Sequence, residues 1–532
     1  MKKTHIILLF LAAYSLALGI RVYWLSQKSA FHVDEGMSVA ISCYNDYIIT
    51  KNYEYNREFT GKEIKEASLV SDASLKKALK DIKSLWKDNR DPPHTNLYYT
   101  FFRLSLIGLK TGEIHHIIFR GGLLNLIFFS VSFVFFFLLM RLLFPNAALL
   151  QILATACAFL STAAISNTLF LRPYQIQEMM FIMFCYYFLR TIDYRKIVIN
   201  DGKWYINNSL LYLSLILAAV LLTGYYAILF IGFFGIYAIY RNCREKTYLD
   251  TVFYVLVLIL GIMFAQALYT RYLDGYASYR ATETKHTLSG NAINNIAASS
   301  IAAGSIIKDH FFTYPVIAVC AACIIYMIYR KQKPIIPKHA LFVFTVSVLY
   351  LFITLVLAPY KVLRYSMPVF PFFILLPAMI VNSVNIKPKV IPNAAMLALY
   401  LFFLIGAANQ NRIENLFRDK PDDYVFARDK DIPVYVNIHY YEKWNYANTW
   451  KFANLIPYLN NDQKYYFIKN FDDIFSGQYD DFYLVVENTH WLNEAVSKYN
   501  KLIKDTVMIN GREPETMEPY FMCLRIRLNE AP

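Results

Sequence analysis

Eleven apolar runs, a side-to-side alternation of lysine and arginine between them, and an abrupt change of composition after Asn411 predict a polytopic α-helical membrane protein. The same change predicts a small α/β domain at the C-terminal end. The chain is 57% hydrophobic and 17% charged, more apolar than an ordinary globular domain, and its surplus of phenylalanine and tyrosine suits membrane cores and interfaces. A net charge of +14 could point to nucleic acid, but no nucleic-acid-binding motif accompanies it. In a membrane protein the placement of charge matters more than its sum. Seven scattered cysteines make no disulfide framework. Cys320 and Cys323 sit inside an apolar run and read as packing residues rather than a metal or redox pair.

A span takes about 20 mostly apolar residues, because the hydrocarbon core is about 30 Å thick. Candidate runs lie near 4–24, 117–140, 147–167, 175–190, 206–222, 225–240, 250–270, 311–329, 340–359, 365–385 and 390–408. The uncharged stretch from Trp204 to Tyr240 is too long for one helix and divides at Thr223–Gly224 into a hairpin. The 175–190 run is short and carries Glu178. The first run follows Lys2 and Lys3, as a signal peptide would. No small-x-small cleavage site precedes Arg21, so it reads as an uncleaved first helix.

Short loops set the orientation. With Lys2 and Lys3 in the cytoplasm, the inside connections hold Arg141; Arg190, Arg195, Lys196 and Lys203; Arg241, Arg244 and Lys246; Arg330, Lys331, Lys333 and Lys338; and Lys387 and Lys389. The short outside connections hold only Arg172, Lys361 and Arg364. The odd count makes 1–408 a transmembrane domain of the cytoplasmic (inner) membrane and places 409–532 outside the cytoplasm.

Three outside segments are large enough for chemistry: 25–116, 271–310 and 409–532. In the first, Leu75, Leu79, Ile82 and Trp86 recur at helical spacing against Lys76, Lys77, Lys80, Lys83 and Lys87. That spacing predicts an amphipathic helix over 73–87, lying in the headgroup plane or, alternatively, solvated on a soluble loop. In the last, Pro433–Ile438, Lys464–Ile468, Asp481–Val486 and Tyr520–Leu528 read as strands, and Trp444–Leu459 and Trp491–Ile503 as helices. It contains no Gly-rich phosphate loop and no triad spacing.

Four motifs concentrate polar chemistry at the outside helix ends. Phe31-His32-Val33-Asp34-Glu35-Gly36 places two adjacent acids where the first run emerges. Carboxylates there could deprotonate an acceptor or bind a metal; otherwise they begin an ordinary polar loop. Arg90-Asp91-Pro92-Pro93-His94 leads rigidly into Leu97-Tyr98-Tyr99. Leu171-Arg172-Pro173-Tyr174 and Tyr360-Lys361 with Arg364-Tyr365 bring cations that could clamp phosphate oxygens or anchor headgroups.

Together these motifs resemble the GT-C glycosyltransferases, and most nearly glycosyltransferase family 39, which includes protein O-mannosyltransferases and the lipid A aminoarabinose transferase. Phe119-Arg120-Gly121-Gly122 and the prolines Pro368 and Pro371 extend the resemblance, which covers about residues 5–385. It implies a GT-C-like fold and transfer of a sugar from a polyprenyl-phosphate donor to an extracytoplasmic lipid, glycan or protein, among membrane lipids and without nucleic acid. By the same resemblance Asp34 is the acceptor-activating base, with Glu35 assisting. Arg172, Lys361 and Arg364 are then candidates for the donor phosphate, and Asp91, His94, Tyr174 and Tyr365 are further site candidates. The chain departs from the family where His-Pro-Pro-Leu-Tyr-Tyr is common. Here Asp91-Pro92-Pro93 is followed by an inserted His94-Thr95-Asn96 before Leu97. An Asp-x-Asp motif is lacking in the first loop, so no obligatory metal or other cofactor is expected.

Two other functions fit the bulk properties. A lipid or solute transporter or flippase needs paired broken helices and ionisable residues at mid-membrane, whereas nearly all charges here sit at run ends or outside. A polysaccharide polymerase or ligase would gather its arginines in one large outside loop, and 271–310, with Arg271, Arg280 and Lys285, leaves that alternative open.

Overall fold

The computed structural model describes residues 3–44, 55, 57–70, 72–91, 94–109, 114–194, 196–200, 203–278, 281–282, 284–285, 287, 292–384, 390–418, 429–438, 440–441, 446–447, 455–469, 471, 474, 479–486, 503–509 and 522–528. The Pro92-Pro93 pair, Arg195, Arg280, Lys387, Lys389 and the expected helix over 491–502 lie outside them.

Every apolar run is helical. In order they are α1 (Lys3–Ser26), α6 (Ile114–Leu143), the pair α7 (Ala148–Leu160) and α8 (Thr162–Leu169), α9 (Tyr174–Ile192), α10 (Ser209–Leu221), α11 (Ala227–Arg244) and α12 (Tyr248–Leu268). After α13 (Ala292–His310) come α14 (Tyr314–Tyr329), α15 (Lys338–Leu357), a 3-10 stretch over Met367–Ile374 leading into α16 (Leu375–Ser383), and α17 (Val390–Ala407). Among the described residues five of these, α1, α6, α12, α15 and α17, are long and apolar enough to cross a membrane. The number rises to seven if α7–α8, bent by 56°, and α13–α14, bent by 88°, each count as one span. Their shared core is aromatic-rich, with Phe129, Phe133, Phe136, Phe159, Phe181 and Phe230 all fully buried.

Four short helices follow α1 outside the bundle: α2 (Val33–Ser42), α3 (Gly61–Ser68), α4 (Leu75–Lys87) and α5 (Leu97–Ser105). The amphipathic helix is α4, started by Ser74, whose hydroxyl accepts from the Lys77 N–H at 3.2 Å. Its buried face is Ala78, Asp81, Ile82 and Leu85, while Leu75, Leu79 and Trp86 are exposed alongside the lysines. Asp81 turns inward because buried Arg103 of α5 donates to it at 2.8 Å.

The C-terminal residues form a mixed six-stranded sheet. The strands in chain order are β1 (Glu58–Thr60), the hairpin β2 (Ile197–Asn200) and β3 (Lys203–Ile206), β4 (Val434–Asn437), the pair β5 (Tyr440–Tyr441) and β6 (Tyr446–Ala447), β7 (Lys464–Ile468), β8 (Asp481–Val486), β9 (Ile503–Ile509) and β10 (Met522–Leu528). The sheet order is β1-β7-β4-β8-β10-β9, and the edge strand β1, from the segment between α2 and α3, pairs antiparallel with β7, Phe59 opposite Tyr465. Two expected strands, Lys464–Ile468 and Asp481–Val486, match at both ends, but the helical reading of 444–459 does not. Tyr446–Ala447 is a strand and Ile456–Tyr458 a 3-10 turn inside the expected helix 444–459, and Ile503 begins a strand. One face of the sheet, with Val434, Val436, Tyr465, Phe467, Tyr483 and Val485, shares a core with α2, α5 and the outer end of α6. That shared core seats the sheet against the helices bearing the acidic motif.

Candidate functional site

The site starts at the beginning of α2. His32 caps the helix in an extended conformation (φ −72°, ψ 153°), and its Nδ1 accepts from the Asp34 N–H at 3.1 Å. Glu35, three positions on, accepts from the His32 N–H at 2.6 Å, closing a capping box. Adjacent helical residues point about 100° apart, so the box sends the two carboxylates in different directions.

Glu35 goes inward and is fully buried. Lys28 Nζ lies 2.9 Å from Oε1 and 3.0 Å from Oε2, and the Leu171 N–H donates to Oε1 at 2.8 Å. The ammonium of Lys28 also donates to the Asn415 carbonyl at 2.8 Å. Burial pushes Glu35 up and Lys28 down, against their mutual attraction. Every polar atom of this pair has a partner, so Glu35 ties α2 to the turn before Arg172.

Asp34 goes outward, its side chain 21% exposed, and Oδ2 accepts from Arg364 Nη1 at 2.6 Å. Arg172 reaches the same residue from another loop: Nη1 donates to the Asp34 carbonyl at 3.1 Å and approaches Ser38 Oγ at 3.3 Å. Its Nη2 lies 2.6 Å from His94 Nε2, and His94 Nδ1 lies 2.7 Å from Asp91 Oδ2. Burial alone would raise the Asp34 carboxyl, but Arg364 and then Arg172 hold it well below the usual carboxylate range. His32 is pushed down to about 4, chiefly by burial with the nearby cations adding, so its ring stays neutral and its Nδ1 free to accept.

The turn carrying Arg172 is fixed from both sides. Asn125 Nδ2 donates to the Thr168 carbonyl at 3.0 Å and to the Phe170 carbonyl at 2.9 Å, while Glu35 holds Leu171. Beneath it, buried Arg21 donates to Thr168 Oγ1 at 2.9 Å, and Thr168 continues to Gln175 and Glu178. Tyr174 and Tyr365 meet edge to face at 6.5 Å, Tyr226 closes on Tyr365 at 6.2 Å, and the Arg364 guanidinium lies 5.3 Å from the Tyr365 ring centre.

Asp34, Asp91, His94, Arg172, Tyr174, Arg364 and Tyr365 thus come together from four separate stretches of chain. Lys361 does not join them. Its ammonium donates to the Leu355 carbonyl at 2.6 Å and the Ala358 carbonyl at 2.9 Å, closing the C-terminal end of α15. The sequence reading left Lys28, Ser38 and Asn125 out, and quoted Tyr99 only as part of a motif. Ser38 and Asn125 carry no local signal, because each acts through a partner far along the chain, and Lys28 gives none because only the fold turns Glu35 back onto it.

One feature of the cluster bears directly on ligands. Among the described residues, Arg172 Nε, Arg364 Nε and the Tyr99 hydroxyl are buried and have no hydrogen-bond partner. Donors left this way are costly and uncommon, and an anion with several acceptor oxygens would satisfy them. Among the described residues no group of three or more His, Cys, Asp and Glu side chains is arranged to hold a metal ion.

This fold, a helical bundle with the acid pair at the start of α2 and a mixed sheet packed against it, is shared with solved structures. The crystal structure of ArnT from Cupriavidus metallidurans bound to undecaprenyl phosphate is similar over 98% of each chain, with a TM-score of 0.51 and 12% sequence identity. The apo state of that protein is similar over 98% of each chain as well, at 11% identity and TM-score 0.51. No family model matches the sequence, nor does any curated protein.

Proposed function

We propose that the protein is a membrane glycosyltransferase that moves a sugar from a polyprenyl-phosphate donor to a lipid, glycan or protein acceptor outside the cytoplasm. The observation that carries this reading is the pair of buried guanidinium N–H groups, on Arg172 and Arg364, that lack acceptors beside the Asp34 carboxylate. Phosphate suits them, because guanidinium donors match its oxygens in charge and geometry. The undecaprenyl phosphate bound by the similar ArnT structure supports the same class of donor.

In this reading the acceptor oxygen or nitrogen attacks the anomeric carbon, and the bond from that carbon to the phosphate oxygen breaks. The lipid phosphate departs with the bonding electrons, and Arg172 and Arg364 offset the charge that develops on it. Asp34 orients the nucleophile and takes its proton. Glu35 acts by positioning rather than as a second acid–base group, and Lys361 is dropped from the phosphate set. The lysine and arginine alternation supports eleven crossings with a cytoplasmic N-terminus and residues 409–532 outside.

The test is transfer from a polyprenyl-phosphate sugar by purified, folded protein. Asp34→Asn should lower turnover by about 100-fold or more. Near-normal turnover would remove Asp34 from the chemistry. Mass spectrometry of surface lipids and glycans, with and without the protein, should reveal the sugar and its acceptor. A wild-type protein that transfers nothing and leaves every glycoconjugate unchanged would overturn the proposal.

A further inference from the structure

We infer that His94 is the positioning residue that holds Arg172 in its phosphate-binding pose, its Nε2 facing the guanidinium. The inference rests on the donor-phosphate reading above.

The geometry requires it. Arg172 Nη2 carries only hydrogens, so at 2.6 Å the His94 Nε2 facing it must present a lone pair. Asp91 Oδ2 lies 2.7 Å from Nδ1, which among the described residues makes no hydrogen bond. The loop is braced around it: Asn89 donates to the His94 carbonyl, and the Asn89 amide oxygen accepts both the Asp91 N–H at 3.0 Å and the Tyr269 hydroxyl at 2.9 Å. With Nη1 on Asp34 and Ser38, and Nη2 on His94, the plane of the Arg172 guanidinium is fixed and its unpartnered Nε–H has one direction to point.

The experiment measures equilibrium binding of undecaprenyl phosphate to purified wild-type, His94→Gln, His94→Ala and Arg172→Ala proteins. Glutamine places its amide oxygen near the position of Nε2, so it should keep Arg172 in place. Wild type and His94→Gln should bind alike, with His94→Ala and Arg172→Ala weaker by about tenfold or more. If His94→Ala binds as wild type does, or if His94→Gln binds as weakly as His94→Ala, the inference fails while the donor reading stands. If wild type does not bind the lipid, it is the donor reading that fails.

Discussion

On the same turn of α2, Glu35 has both oxygens filled by Lys28 and by the N–H groups of His32 and Leu171, while the Asp34 carboxylate takes Arg364 and stands among donors that, among the described residues, lack acceptors. Both carboxylates contact a cation, and both come from one acidic pair in the sequence. The difference lies in completeness. A buried polar network with every group satisfied holds a fold together, whereas one with donors to spare awaits a ligand. Composition could not separate the two; the capping box does, by turning one side chain in and the other out.

The largest expected effect breaks the complete network. Glu35→Ala leaves the Lys28 ammonium buried without its counter-charge and should destabilise the protein by about 3–5 kcal/mol. Denaturant unfolding in detergent measures this, and wild-type stability would mean the clamp does not hold the fold. Asp34→Asn removes only the charge of a partly exposed pair, so it should cost less stability than Glu35→Ala while transfer falls about 100-fold. A variant that loses stability and activity in parallel would erase the contrast between the neighbours. Next, Arg364→Ala should weaken donor dependence by about tenfold or more, in line with loss of a charge-assisted contact, and Lys361→Ala should leave it near wild type. Equal losses would return Lys361 to the phosphate set.

The smallest effect is on pH dependence. Arg364 and Arg172 hold the folded-state Asp34 carboxyl below its usual range, so its contribution to stability is present above the unfolded carboxylate range, about pH 4. It is lost as pH falls from there through the folded value. Wild-type stability should therefore decline more steeply below about pH 4 than that of Asp34→Asn, and the two curves should run parallel above it. Divergence above that range instead would point to a different titrating group.

Much of this was legible in the sequence, for reasons particular residues make plain. The apolar runs are long and locally encoded, so each became a helix. Arg172 and Arg364 stood out because charge is scarce in the short connections at that end of the runs, and Asp34 because it forms an acid pair where the first run ends. Lys361 stood out equally, and only the end of α15, where its ammonium meets two carbonyls, separates it from Arg364. His94 looked displaced by the interruption of a motif, yet the loop returns it to Arg172. The sheet was harder. β1 is three residues long and its partner β7 lies some four hundred residues away, so no local pattern could reveal the pairing. For α4 the spacing gave the helix correctly but not which apolar residues are covered, because Asp81 is drawn inward by Arg103.

The central claim is that the spare donors of Arg172 and Arg364 receive a lipid phosphate. It is tested most directly by undecaprenyl phosphate binding to wild-type protein and to the folded double variant Arg172→Ala/Arg364→Ala. The account predicts saturable binding by wild type and its loss in the double variant. Binding of the lipid by the double variant with wild-type affinity would contradict it.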